Sequence, residues 1–153
     1  MLLKGVNHVA ILTKDTDRLH AFYREVFGAT VFHDQVDGDL RLSLVDIGPG
    51  TRLNVFEIRG NTEAERQVPM FGRGRLDHIG LEAASKEAFD TIRQRLMARG
   101  ASDGFVTDFG VDLSVFFRDP DGLEGEVCLN NPEAKPGDVK PPGTPAAGYE
   151  RGR

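Results

Sequence analysis

Hydrophobic positions along the chain change period in a fixed order, and the order occurs twice. Residues 5–12 alternate in the manner of a strand, with His8 beside Val6 and Ala10 on one face and Asn7, Val9 and Ile11 on the other. The period then lengthens. Leu19, Phe22, Tyr23, Val26 and Phe27 fall at i, i+3, i+4, i+7 and i+8, the apolar stripe of a helix with one buried face. Asp15-Thr16-Asp17 supplies N-cap oxygens, and Gly28 is free to take the left-handed conformation that ends a helix. Strand-like runs return at 30–35, 40–46 and 51–58, divided by the turn residues Asp37-Gly38-Asp39 and Gly48-Pro49-Gly50.

After a polar, glycine-bearing stretch at 60–74, read as a linker, the same succession begins again. A strand at 76–82 leads to Ser85 as N-cap, then to a helix with Phe89, Ile92, Leu96 and Met97 on one face and Gly100 at its end. Strands follow near 104–107, 113–118 and 123–129, the last two joined by the tight turn Asp119-Pro120-Asp121-Gly122. The pattern therefore predicts an α+β domain over residues 1–130, built from two tandem modules at about 5–59 and 75–130. Residues 131–153 carry five of the eight prolines and no apolar period, which predicts a flexible tail.

Composition narrows the function classes. A net charge of −5 and a pI near 5.4 argue against a nucleic-acid surface. No apolar run approaches a membrane span, the N-terminus lacks the apolar segment of a signal peptide, and a single cysteine rules out an intrachain disulfide framework. A cytoplasmic protein is the expectation.

The repeat carries the candidate chemistry. His8 and His78 stand 70 residues apart (78 − 8), each in a β-compatible run that opens its module. Glu57 and Glu126 stand 69 apart (126 − 57), each in the strand that closes its module. Imidazoles and carboxylates held on rigid strands are ligands for a divalent transition metal. A cation also offsets the cost of placing two carboxylates in a cleft. The expectation is a metal site of His8, Glu57, His78 and Glu126. His20, beside the apolar stripe, is expected on the helix surface, whereas His33 could line the cavity. Cys128 is expected as a small apolar filler rather than a nucleophile, and Arg73 and Arg75 as a solvated basic hinge. Of Phe116 and Phe117, one should face the core and the other the cavity.

Asn7-His8-Val9-Ala10, the helix segment from Ala21-Phe22-Tyr23 to Phe27-Gly28, Asp77-His78-Ile79-Gly80, and Asp119-Pro120-Asp121-Gly122 with Glu126 resemble the vicinal oxygen chelate superfamily over roughly residues 5–130. That group includes glyoxalase I, methylmalonyl-CoA epimerase, extradiol dioxygenases and bleomycin- or fosfomycin-resistance proteins. The resemblance implies paired βαβββ modules whose eight strands form a cupped mixed sheet around a divalent metal, with the helices outside. It implies ligands on the first and last strands of each module, and a small-molecule substrate with vicinal oxygens, commonly on a homodimer. Two imidazoles with two carboxylates resemble glyoxalase I and its epimerase relatives, lyases and isomerases that work through a metal-stabilised enediolate or enolate. In that case the resemblance implies that Glu126 and Glu57 also move the proton, and that the ion is Ni, Co, Mn or Zn. His8, His78 and Glu126 alone resemble the triad of an Fe(II) extradiol dioxygenase, and a ligand-sequestering resistance protein is the third alternative. Glyoxalase I proteins usually carry an arginine where this chain has Leu12, although Asn61 matches their asparagine.

Overall fold

The structure, a computed structural model, describes residues 2, 5–132, 134–135 and 137–149. Its elements are β1 (His8–Leu12), α1 (Thr16–Phe27), β2 (Thr30–Asp37), β3 (Leu40–Gly48), β4 (Thr51–Ile58), β5 (Ile79–Glu82), α2 (Lys86–Ala98), β6 (Val106–Asp108), β7 (Asp112–Arg118) and β8 (Glu124–Asn130). The βαβββ order occurs twice, as the periodicity predicts. The strands are hydrogen-bonded as two four-stranded mixed sheets of identical plan, β1-β4-β3-β2 and β5-β8-β7-β6. In each, the first strand pairs parallel to the last and the other pairs are antiparallel. No helix among the described residues is long and apolar enough to cross a membrane.

The first unit comprises the chain up to Gln67 together with Pro120–Gly122. Its core is the α1 stripe against the odd-numbered residues of β3 and β4. Leu19, Phe22, Tyr23 and Val26 are buried with Val45, Leu53 and Val55. The Asp15 carboxylate caps the helix by accepting the Arg18 N–H at 2.9 Å. Gly28 closes it at φ 73°, donating its N–H to the Arg24 carbonyl at 2.9 Å. His20 is not a surface residue: it is 6% exposed, with Nε2 2.7 Å from the Ser43 hydroxyl on β3. It flanks the stripe on the side where β3 passes under the helix, and Ser43 supplies the polar partner that lets the imidazole be buried. The Asp121 carboxylate belongs to this unit because it accepts Thr13 Oγ1 at 2.5 Å, Lys14 N–H at 3.3 Å and Arg18 Nη2 at 2.7 Å.

The second unit comprises Val68–Asp119 and the chain from Leu123 onward. Phe89 and Leu96 of α2 pack with Val106, Val115, Phe117 and Val127, whereas Met97, expected on the buried face, is 40% exposed. Gly125 is required by packing. A Cβ there would lie 2.2 Å from Cζ of Phe117, its partner on β7.

Within the segment expected as a flexible tail, described residues 144–146 lie along β6 and Val139 lies beside the turn that follows it. Val139 bridges Gly110 and Pro145 bridges Thr107. Asp108 N–H donates to the Thr144 carbonyl at 2.8 Å, and Ala146 N–H to the Val106 carbonyl at 3.0 Å. Tyr149 then reaches α2, with its hydroxyl 2.7 Å from Asp90 and its ring edge-on to Phe89. β6 is an edge strand with backbone groups to satisfy, and a proline-rich segment can serve an edge where it could not enter a sheet. The predicted tail residues 133, 136 and 150–153 lie outside the described residues.

Candidate metal centre

Each histidine is set by the residue before it. His78 Nδ1 lies 2.9 Å from Asp77 Oδ2, and His8 Nδ1 lies 2.9 Å from Asn7 Oδ1. An oxygen acceptor at Nδ1 holds the proton there and leaves the Nε2 lone pair available to a metal. Asp77 is itself fixed, since the Phe71 backbone N–H donates to its other oxygen. The His78 ring beside it holds the Asp77 carboxyl below the usual carboxylate range.

In the second unit a histidine and a carboxylate converge. His78 Nε2 is 3.4 Å from Glu126 Oε2, and the two side chains are 31% and 15% exposed. Both belong to the sheet face opposite α2. Phe116, the β7 partner of Glu126, stands on that face with its ring edge-on to His78 at 6.0 Å, while Phe117 is in the core. Cys128 shares the face, and burial pushes its thiol up to about 11, away from the thiolate a nucleophile needs. Glu124, also on this face, is occupied. Its Oε2 accepts Arg73 Nη2 at 2.9 Å and Arg118 Nε at 3.0 Å. Arg73 is therefore not the solvated hinge residue expected; its side chain is 9% exposed, drawn in by a carboxylate that needs a cation when buried. Arg75 is exposed, as expected.

The first unit arranges its residues differently from the prediction. β1 pairs with β4 so that His8 is in register with Arg52, Ala10 with Asn54 and Leu12 with Phe56. Partners in a ladder share a face, so the His8 face carries Arg52, Asn54 and Phe56. Glu57 leaves from the other face with Leu53 and Val55. Its Oε2 accepts the Thr16 N–H at 2.8 Å, at the N-terminus of α1. A carboxylate is stabilised there by an unsatisfied helix N–H and by the positive end of the helix dipole. His8 and Glu57 are thus on opposite faces of one sheet, and Glu57 is not placed as a ligand with His8. Sequence spacing missed this because it does not reveal the parity of the β1–β4 register.

His33 is exposed on the His8 face, paired with Leu44 of β3, which in turn pairs with Asn54. Arg52 reaches over the Phe32 ring, 5.8 Å from its centroid, and Asp46 stands across from it on β3. Among the described residues no group of three or more histidine, cysteine, aspartate or glutamate side chains is gathered for a metal ion. The gathered groups are His78 and Glu126, with Asp77 behind the imidazole. Their types and orientation fit a divalent transition ion, with imidazole nitrogen and carboxylate oxygen presented together and the second ring nitrogen already committed.

No curated protein matches the chain. Solved structures do match its fold. A glyoxalase/bleomycin resistance protein/dioxygenase domain from Frankia sp. EAN1pec is 22% identical, covers 86% of this chain and 95% of its own, and superposes with a TM-score of 0.70. The fosfomycin resistance protein FosX from Listeria monocytogenes is 19% identical over 86% of this chain and 98% of its own, with a TM-score of 0.63. A FosX variant complexed with Mn(II) and 1S,2S-dihydroxypropylphosphonic acid is 20% identical over 86% and 97%, with a TM-score of 0.64. The family model described as Glyoxalase/Bleomycin resistance protein/Dioxygenase superfamily matches residues 5–127. With two βαβββ modules and that match over most of its length, the chain belongs to this superfamily.

Proposed function

We propose that the protein is a divalent-metal enzyme whose ion is held by His8, His78 and Glu126, and which acts on a small substrate with two adjacent oxygens. The observation that carries this reading is the convergence of His78 Nε2 and Glu126 Oε2 at 3.4 Å, with His78 Nδ1 committed to Asp77. His8 joins as the third ligand on two grounds: its position in the repeat, and an Nδ1 committed to Asn7 in the same manner. It comes from the same chain or from a second copy in a homodimer, which light scattering on the metal-loaded protein distinguishes. Glu57 is withdrawn from the ligand set, because its carboxylate serves α1.

Bound by these residues, a divalent cation supplies Lewis acidity toward the adjacent oxygens of the substrate. The chain's own groups do the rest. Asp77 and Asn7 fix the imidazoles, Phe116 walls the His78 ring on the open face, and Glu126 is the carboxylate nearest a substrate proton. The reaction class is lyase or isomerase chemistry by proton transfer beside an oxygen-bearing carbon, on Mn, Ni, Co or Zn. FosX, bound to Mn(II) and a dihydroxypropylphosphonic acid, gives an instance of the same fold receiving that ion with a vicinal diol.

A second reading is favoured by one finding. With Glu57 removed, two imidazoles and one carboxylate remain, the set that leaves positions open for both catechol and oxygen on Fe(II). The two readings separate in one experiment. Protein loaded anaerobically with each ion is given a 2-hydroxyketone in deuterated water, or catechol with oxygen. The first reading expects deuterium at the carbon beside the carbonyl and no oxygen uptake. Oxygen uptake with Fe(II) and catechol alone would establish the second reading and overturn the first. Ligand binding without turnover on any ion would make the protein a sequestering one.

A further inference from the structure

Beside the candidate ligands, the second sheet carries more positive charge than its own ion pair needs. Alternate residues of β8, Glu124, Glu126 and Cys128, leave from the open face, and their β7 partners Arg118, Phe116 and Ser114 share it. Ile79 is in register with Gly125, which sets His78 level with Glu124 and puts Arg118 in the same row, two strands away. At about 5 Å between strands, Arg118 stands roughly 10 Å from His78, backbone to backbone. Phe116 is the next residue of β7 on this face, and its ring is edge-on to His78.

The Glu124 carboxylate is neutralised without Arg118. Arg73 and Glu124 form an ion pair at 2.9 Å in which the side chains are 9% and 10% exposed. Arg118 adds a second guanidinium to the same oxygen, its Nε donating at 3.0 Å, while its side chain is 62% exposed. The carboxylate therefore serves Arg118 as an anchor. It holds the side chain by Nε and leaves Nη1 and Nη2, a pair able to grip an oxyanion in bidentate fashion, without a hydrogen bond to any described residue. Two guanidinium groups against one carboxylate leave a positive charge at this end of the face. The opposite end bears Glu82, in register with Cys128, and Asp112, in register with Asn130. An anion on this face is drawn toward Arg118 and repelled from the other end.

We infer that Arg118 is the specificity-determining residue of an oxyanion subsite beside His78 and Glu126, so that the substrate carries a carboxylate or phosphonate a few bonds from its two adjacent oxygens. The inference rests on the metal reading above for the place of those oxygens, and its own residues all belong to the second unit. The substrate lies across the row, with its oxygens toward His78 and Glu126, its apolar middle over Phe116 and its anionic end on the Nη pair of Arg118. A benzene ring with the two oxygens on one edge and the anion on the opposite edge has the shape this requires.

The test uses 3,4-dihydroxybenzoate, 3,4-dihydroxyphenylphosphonate and the uncharged 3,4-dihydroxybenzamide, each titrated anaerobically into Mn(II)-loaded protein by calorimetry. Wild type should bind at least one of the two anions about 10-fold more tightly than the amide, the scale of a charged hydrogen-bonded pair partly open to water. Which anion is favoured tells carboxylate from phosphonate. Arg118→Gln should lose that preference while keeping Mn(II) and its affinity for the amide, and Arg118→Lys, a charge without the fork, should keep part of it. Added salt should shrink the preference of wild type and leave Arg118→Gln unmoved. Melting curves check that the variants are folded, as expected where Arg73 still meets Glu124. If Mn(II) is held but neither anion binds better than the amide, or if Arg118→Gln keeps the preference, the subsite is absent and this inference fails alone. If wild type binds no Mn(II), or Glu126→Gln binds it equally, the metal reading has failed and the inference falls with it.

Discussion

Glu57 and Asn54 leave β4 from opposite faces, and the Glu57 carboxylate serves α1. Glu57 meets the first N–H of α1, so its loss should be felt in folding. Glu57→Gln keeps the side chain but removes the charge beside a helix N-terminus, an effect of about 1 kcal/mol. The expected outcome is a melting temperature lowered by a few degrees with Mn(II) content unchanged. Calorimetry and metal analysis of the same preparation check it, and a variant that loses its metal without losing stability would reverse the assignment. The approach of His78 to Glu126 was legible in the sequence, where the repeat singled out both residues. Face was legible along each strand, because alternation needs only one strand. Which faces coincide on neighbouring strands depends on a register that runs of apolar residues do not encode, and Glu57 was misplaced for that reason. Asp77 and Asn7 were visible as neighbours of the histidines, but their role at Nδ1 becomes apparent only from the ring orientation.

The elements themselves were mostly legible, since each depends on local periodicity and on capping chemistry at its ends. α1 shows what was not. His20 lies one position from the stripe, and only the passage of β3 beneath it decides that it is buried. That burial holds its pKa below the ordinary value, while the Asp34 and Asp17 carboxylates oppose the shift and the Arg41 and Arg24 guanidinium groups reinforce it. A histidine with a depressed pKa in the fold is neutral there and takes a proton more readily once unfolded. Its contribution to stability is complete above the unfolded value near 6.5 and is lost as pH falls below it. Urea midpoints should therefore drop between pH 7 and 5, and His20→Gln, which cannot titrate, should flatten that part of the profile. An unchanged slope would show that His20 is not the titrating group. β6 gives a second case. At three residues it is too short to be secure alone, and the segment through Pro145 and Ala146 satisfies its outer edge. Truncation after Asn131 should lower the melting temperature and promote self-association through the bared edge, seen by light scattering. A truncated chain that stays monodisperse and equally stable would refute that role.

For the whole molecule, duplication supplied two similar sheets, and sequence divergence made them unequal. The second keeps a carboxylate beside its histidine. The first has an amide in the corresponding place and uses its nearest carboxylate to hold a helix. The period of the repeat made the architecture readable from sequence, but it also suggested a symmetry of ligands that the register does not support. In the proposed function that asymmetry matters, because a centre with one carboxylate would have more open positions than one with two. The most direct test is metal stoichiometry by mass spectrometry on wild type, His8→Ala, His78→Ala, Glu126→Gln and Glu57→Gln, each loaded with Mn(II) and desalted. One ion per chain in wild type and in Glu57→Gln, with loss in the other three, is the predicted result. Retention of the ion by Glu126→Gln, or its loss from Glu57→Gln alone, would contradict the account.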